Sequence, residues 1–233
     1  MDIAFAQNYT NLYEIDITPG AAQRTYVRLG AGISSVEWEG NEEVAQDPYY
    51  DGEGFNSSEV TGGQLVGTFE GHRCYGDPAQ DYIASLLLAY GEDRKTNFRW
   101  TAPNGNVVEG GVTVANIAPQ AGDANTKSDF SFEIHMNGLP TFKEGNASEF
   151  PDEITAEEIS VSENETAKIT ASITPTGASP AVVYAVEDRK IATVDSDGTV
   201  HGVKAGTTNV SIKSCVRPTV GTTVQVTVSA AAG

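Results

Sequence analysis

Phe130, Phe132, Ile134 and Met136 alternate with Ser131, Glu133, His135 and Asn137. That period of two marks a strand with one face buried and the other wet. Runs rich in β-branched and aromatic residues, bounded by Gly, Pro or Asn, predict further strands over residues 26–29, 33–38, 65–72, 97–101, 107–110 and 112–117. Pro103-Asn104-Gly105 supplies the turn of a hairpin between two of them. One helix interrupts the pattern. Asp77 as N-cap, Pro78 at the first helical position, Gln80 completing a capping box and Gly91 beyond the last turn predict a helix over 78–90. Its apolar stripe, Ile83, Leu86, Leu87 and Tyr90, is expected to pack on the sheet.

After residue 154 helical periodicity is absent, and short strands are expected at 159–161, 167–173, 182–186, 192–194, 199–203, 208–213 and 223–228, a density that suits a β-sandwich. Between Pro140 and Ile154 all periodicity is lost and Gly, Asn, Ser, Pro and acidic residues gather, as in a connector. The expected division is therefore 1–150 and 151–233. The fold class is mainly β: an N-terminal β-sandwich or barrel with one flanking α-helix, followed by a second β-sandwich.

Charge changes this picture for the first part. The net charge is −18, and residues 1–150 hold 22 acidic against 8 basic side chains. Such a balance argues against a basic groove for nucleic acid, because affinity for phosphate rests on Lys and Arg displacing counterions. From Leu29 to His72 there is no Lys or Arg at all. Within that stretch residues 40–58 carry turn residues and no regular period, and structureless loops of this length in a compact domain are usually functional or disordered. Tyr49, Tyr50 and Phe55 are rings that a solvated loop has little reason to expose, and such rings are enriched where proteins meet partners. The segment reads as an assembly loop, with Glu42, Glu43, Asp47, Tyr49, Tyr50, Asp51 and Phe55 as its candidate contact residues.

Candidate chemistry removes alternatives rather than adding any. Asp195-Ser196-Asp197-Gly198 begins like a calcium loop, but Gly206 stands where the closing bidentate Glu belongs, so a tight Asp-Gly turn is the preferred reading. His72 and Cys74 have no second pair to complete a metal site. Gly30-Ala-Gly32 lacks the third glycine of a dinucleotide fingerprint. His72, His135 and His201 have no nucleophile elbow near them. No catalytic, cofactor-binding or metal site is predicted, and the expectation is a protein that is not an enzyme. Cys74 and Cys215 lie in different expected domains and read as reduced thiols. The start of the chain has no basic and apolar pattern of an export signal, and the longest apolar stretch, 83–90, is too short to span a bilayer.

Ala192-Thr-Val-Asp-Ser-Asp-Gly-Thr-Val-His-Gly-Val-Lys-Ala-Gly-Thr207, with Ile173-Thr-Pro-Thr176 upstream and Val224-Gln-Val-Thr-Val228 at the end, resembles the bacterial Ig-like group 2 family, with Asp195, Asp197, Gly198 and Gly206 at signature positions. Tyr184 stands where that family often has Trp. The resemblance implies an accessory module, either a spacer or a weak binder of host-surface carbohydrate.

In the first part, Gly76-Asp-Pro-Ala-Gln-Asp-Tyr-Ile83, Val114-Ala-Asn-Ile-Ala-Pro-Gln-Ala-Gly-Asp-Ala-Asn125, Ser128-Asp-Phe-Ser-Phe-Glu-Ile134 and Asn137-Gly-Leu-Pro140 resemble the major tail tube proteins of long-tailed bacteriophages. That resemblance implies a virion protein made in the host cytoplasm. It would form homo-hexameric rings stacked into a tube through a long loop, here about 39–64, with tape measure and tail terminator proteins as further partners. DNA would pass through the lumen without specific binding, no membrane would be involved, and the Ig-like module would project outward. A cell-surface or secreted Ig-like adhesin is the alternative from another class.

Overall fold

The computed structural model describes residues 5–231. In chain order its main elements are β1 (Leu12–Asp16), β2 (Tyr26–Arg28), β3 (Ile33–Glu39), β4 (Glu43–Pro48), β5 (Asn56–Gly62), β6 (Val66–His72), α1 (Pro78–Ser85), β7 (Lys95–Thr101), β8 (Val107–Ala121), β9 (Asp129–Met136) and β10 (Thr141–Lys143). They continue as β11 (Glu153–Ala156), β12 (Ile159–Ser162), β13 (Thr166–Lys168), β14 (Ala171–Thr174), β15 (Val182–Val186), β16 (Ala192–Val194), β17 (Thr199–Gly202), β18 (Gly206–Ser214) and β19 (Gly221–Ser229). The fold is mainly β with one α-helix among the described residues, as the sequence pattern predicts. Contacts divide the chain into two compact units. One comprises Ala31–Asn97 and Gly110–Pro140; the other takes in the chain up to Gly30, Phe98–Glu109 and everything from Thr141 on.

The first of these units is built on the antiparallel sheet β8-β9-β6-β3. Its register puts Val36, Phe69 and Phe132 in one row, and Trp38, Gly67, Ile134 and Val114 in the next. These residues share the apolar face, where the Phe69 and Phe132 rings stack at 5.0 Å and Trp38 meets Phe69 edge-on at 6.1 Å. Gly67 is a glycine for a reason: a Cβ there would lie 2.7 Å from the Trp38 ring. The opposite face carries Glu37, Glu39, Glu70, His72, Asp129, Glu133 and His135, all exposed or half-buried. Strand β8 runs unbroken where two strands were expected; Asn116, at φ 47°, absorbs a register shift within it.

Helix α1 starts as predicted, with the Asp77 carboxylate accepting from the Gln80 amide at 2.9 Å. Burial raises the Asp77 pKa against the pull of that bond. The capping box is not reciprocal. The buried Gln80 side chain instead donates to the Ala31 carbonyl and accepts from the Cys74 amide at 2.7 Å, pinning two loops to the helix. The helix also ends at Ser85 rather than Tyr90, passing into a short 3-10 turn over Leu86–Leu88. Of the expected stripe, Ile83 and Leu86 are buried, but Leu87 and Tyr90 face solvent.

In the other unit β1, which the sequence pattern does not predict, lies between β2 and β7. All five of its residues are buried, so no alternation betrays it. Its Glu14 pairs with Arg99 at 2.7 Å. The C-terminal strands form the sheets β12-β19-β18-β15, β13-β17-β16 and β11-β14. Their common core holds Ile154, Val161, Ile169, Val200, Val210, Ile212, Val224, Val226 and Val228. At ~1.5–3 kcal/mol for each fully buried aliphatic side chain, this core outweighs any single polar contact in the segment.

The connector expected over 140–154 is more ordered than its composition implies. β10 pairs with the start of β8, Ala147 donates to the Asn104 carbonyl at 2.9 Å, and Ser148 donates to Gly177 at 3.1 Å. Leu12 of β1 packs with Ala181 and Cys215 in a small buried cluster.

Candidate assembly surface

The stretch expected as an aperiodic loop is a β-hairpin. β4 and β5 pair only with each other, in the register Val44↔Val60, Ala45↔Glu59, Gln46↔Ser58, Asp47↔Ser57 and Pro48↔Asn56. No period is visible in the sequence because neither face is buried: apart from Ala45 and Gly62 every residue of the two strands is exposed. Its base is closed by the Gln64 amide donating to the Gly40 carbonyl at 2.9 Å and by Asn41 reaching the Gln64 carbonyl at 3.3 Å. At the tip a single 3-10 turn over Tyr50–Gly52 is followed by Glu53 and Gly54, both at positive φ.

The predicted contact residues fall on this hairpin in three places. Glu42 and Glu43 sit at its base and Asp47 near the end of β4, while Tyr49, Tyr50, Asp51 and Phe55 make the tip. Tyr49 is 58%, Tyr50 109% and Phe55 81% exposed. Val44 and Val60 form an apolar cross-strand pair that is also exposed, a feature that residue-by-residue reading of the loop did not find. A two-stranded hairpin alone is at best marginally stable in water, and among the described residues no third strand pairs with it.

A second surface is the polar face of the β8-β9-β6-β3 sheet. Register places Glu39, Val66, His135 and Thr113 in one row, Glu37, Thr68, Glu133 and Ala115 in the next, and Ser35, Glu70 and Ser131 beyond, with Asp129 beside His72. Five carboxylates share this face with no Lys or Arg. Hydrogen bonds from Asn116 and His135 hold the Glu133 carboxyl below its ordinary pKa. Sequence reading found the acidity but not which carboxylates stand together, because that needs strand order.

The signature residues of the C-terminal segment build a turn. Gly198, at φ 87°, donates to the Asp195 carbonyl at 3.1 Å, and a Cβ on it would lie 2.9 Å from both the Ile169 carbonyl oxygen and the Tyr184 ring. The Asp195 carboxylate meets His201 at 2.7 Å, and that of Asp197 accepts from the Thr199 amide at 2.9 Å and Lys168 at 3.0 Å. Burial raises the Asp197 pKa, but its bonds from Thr199 and Lys168 outweigh that and leave it below the usual range. Gly206 opens β18, where a Cβ would press on Ile191 at 3.2 Å. Both carboxylates thus serve the turn.

Residues 151–228 match the bacterial Ig-like domain, group 2. The Ig-like segment is about a third of the chain. Over 60% of its length the chain is similar in fold to a chain from the tail of an empty gene transfer agent particle with C6 symmetry, at TM-score 0.50 and 14% identity, with 100% of that chain covered. A likeness of that extent takes in residues outside the Ig-like segment. A chain of the native gene transfer agent virion gives TM-score 0.49 at 14% identity over 60% and 100% of the two chains. One from the tube-terminating cap of the anti-feeding prophage gives 0.39 at 14% over 62% and 97%. At such identity the similarity is one of fold. No curated protein matches the sequence. No helix among the described residues is long and apolar enough to cross a membrane.

Proposed function

We propose that this chain is a structural protein of a phage tail, the subunit of the tail tube, in which copies form six-membered rings stacked into a hollow conduit for DNA. The observation that carries the reading is the hairpin β4–β5, exposed along its length, marginal by itself and tipped with aromatic rings, in a chain that shares its fold with a tail protein. Such an element gains stability when another subunit covers it. Tape measure and tail terminator proteins are the expected neighbours at the ends of the tube, and the protein does no chemistry. Residues 1–150 supply the tube, and 151–233, the Ig-like segment, project outward as a decoration with weak affinity for host carbohydrate.

The carboxylate-lined sheet face is the natural lumen wall. Two unit charges 4 Å apart in water interact by ~1 kcal/mol, and at physiological salt the field decays over ~8 Å. Repulsion of phosphate by Glu37, Glu39, Glu70, Asp129 and Glu133 therefore acts only near contact, where it keeps DNA from sticking without obstructing passage.

Excision tests the hairpin. Because the Gly40 carbonyl and Gln64 amide are already bonded, removing Asn41–Gly62 leaves a short Gly63 bridge. The excised protein should keep its circular dichroism and fail to polymerise; normal tubes would overturn the assembly role.

A further inference from the structure

The segment after α1 presents an apolar ledge. Leu87 is 39%, Leu88 84% and Tyr90 78% exposed, and the backbone beneath them is fixed. Ala89 donates to the Leu86 carbonyl at 3.0 Å, while the Arg94 guanidinium donates to the carbonyls of Ala89 at 2.7 Å and Leu87 at 2.8 Å and lies 5.6 Å from the Tyr90 ring centre. Arg94 bonds carbonyls only and makes no ion pair among the described residues, so its charge is unmatched. Lys95 beside it is paired with Glu92.

The hairpin tip is complementary in both respects. It offers the rings of Tyr49, Tyr50 and Phe55, and its Asp51 and Glu53 likewise make no ion pair among the described residues. The tip and the ledge are exposed at the same time in one chain, so they do not cover each other within it. We propose that the ledge Leu87–Arg94 is the seat of the hairpin tip of a second copy of this chain. The two patches differ, so the contact is heterologous and propagates from copy to copy rather than closing a pair. Apolar rings on leucines supply the burial, and Asp51 or Glu53 reaching Arg94 sets the orientation. This assignment rests on the hairpin being the assembly element and adds the surface that receives it.

The test uses the full chain in a Cys74→Ser background, which removes the exposed thiol and leaves Cys215 buried. Tyr50→Cys and Leu88→Cys are placed on separate chains, mixed under assembly conditions and treated with a short bis-maleimide. A covalent dimer is expected only in the mixture, and a ladder when both cysteines are on one chain. In parallel, Leu88→Ser with Tyr90→Ser should raise the critical concentration for polymerisation at least about tenfold, with Tyr50→Ser having a similar effect. Absence of the cross-link overturns the ledge assignment whatever the substitutions do. If Tyr50→Ser blocks polymerisation while the ledge variant assembles at the wild-type concentration, the ledge fails and the hairpin reading stands. If Tyr50→Ser also assembles normally, both fail.

Discussion

Arg99→Met should cost this protein more stability than its half-exposed position suggests. The Arg99 guanidinium bonds the Glu14 carboxylate at 2.7 Å, lies 4.5 Å from the centre of the Tyr26 ring, and touches Ser196 at 3.4 Å. Burial works against the Arg99 charge, but Glu14 outweighs it and the Arg99 pKa is raised. The Glu14 side chain is 2% exposed and that of Arg99 24%. Methionine fills much of the same volume, so the main loss is electrostatic: a carboxylate stranded in the interior. Breaking a buried pair costs ~3–5 kcal/mol, and the water that reaches Arg99 argues for the lower end. About 3 kcal/mol in a chain of this size lowers the melting temperature by about 6–12 °C, measurable by calorimetry at pH 7. Adding Glu14→Gln should recover most of that, because the stranded charge is then gone. A single-variant loss below about 1 kcal/mol, or a double variant no better than the single, would refute the argument.

Gln80→Ala orphans the Cys74 amide and the Ala31 carbonyl in a buried setting and should cost about 2–4 kcal/mol by urea unfolding; hydrogen exchange at the Cys74 amide should accelerate, and unchanged exchange would count against the pin. Gly198→Ala forces a Cβ against Ile169 and Tyr184 at positive φ and should destabilise the Ig-like segment by about 2 kcal/mol or more, read from the same unfolding experiment; neutrality would mean that the turn can relax. Tyr26 has its pKa pushed up to about 12, first by burial and then by its bond to Glu109. A phenol raised above its unfolded value near 10 contributes stability that is complete below pH 10 and lost as pH rises through about 12. Absorbance titration should therefore find one late phenol that Tyr26→Phe removes, and its persistence in that variant would contradict the assignment. Burial pushes the Cys215 thiol up to about 11. At pH 8 a thiol reagent should consume Cys74 quickly and Cys215 only after denaturant is added; rapid reaction of two thiols would show that the Leu12–Cys215 cluster opens.

Much of the fold is legible in the sequence wherever a strand buries one face. β9 alternates cleanly and is found at sight, and the Ig-like strands β12, β15, β16 and β19 likewise announce themselves. β1 fails from one side, since it is buried all round and carries two carboxylates, Glu14 paired with the distant Arg99 and Asp16 bonded to Thr18 and Thr25 in the turn that follows. The hairpin β4–β5 fails from the other, since it is exposed all round and no period distinguishes it from a loop. The tip residues Tyr49, Tyr50 and Phe55 were nonetheless legible, because aromatic rings set in an acidic, turn-rich stretch have no core of their own to enter. The ledge was hidden by its own pattern: Leu86, Leu87 and Tyr90 fit a helical stripe, and only the early end of α1 at Ser85 turns two of them outward. The set of carboxylates on the polar sheet face depends on the order β8-β9-β6-β3, which local sequence does not carry.

Electron microscopy of the purified full chain under assembly conditions tests the central claim most directly. Hollow tubes of stacked six-membered rings, with the hairpin of one ring engaged on the next and the carboxylate face of the sheet turned inward, are the predicted result. Dispersed monomers over the same range of concentration, or solid filaments without a lumen, would contradict it.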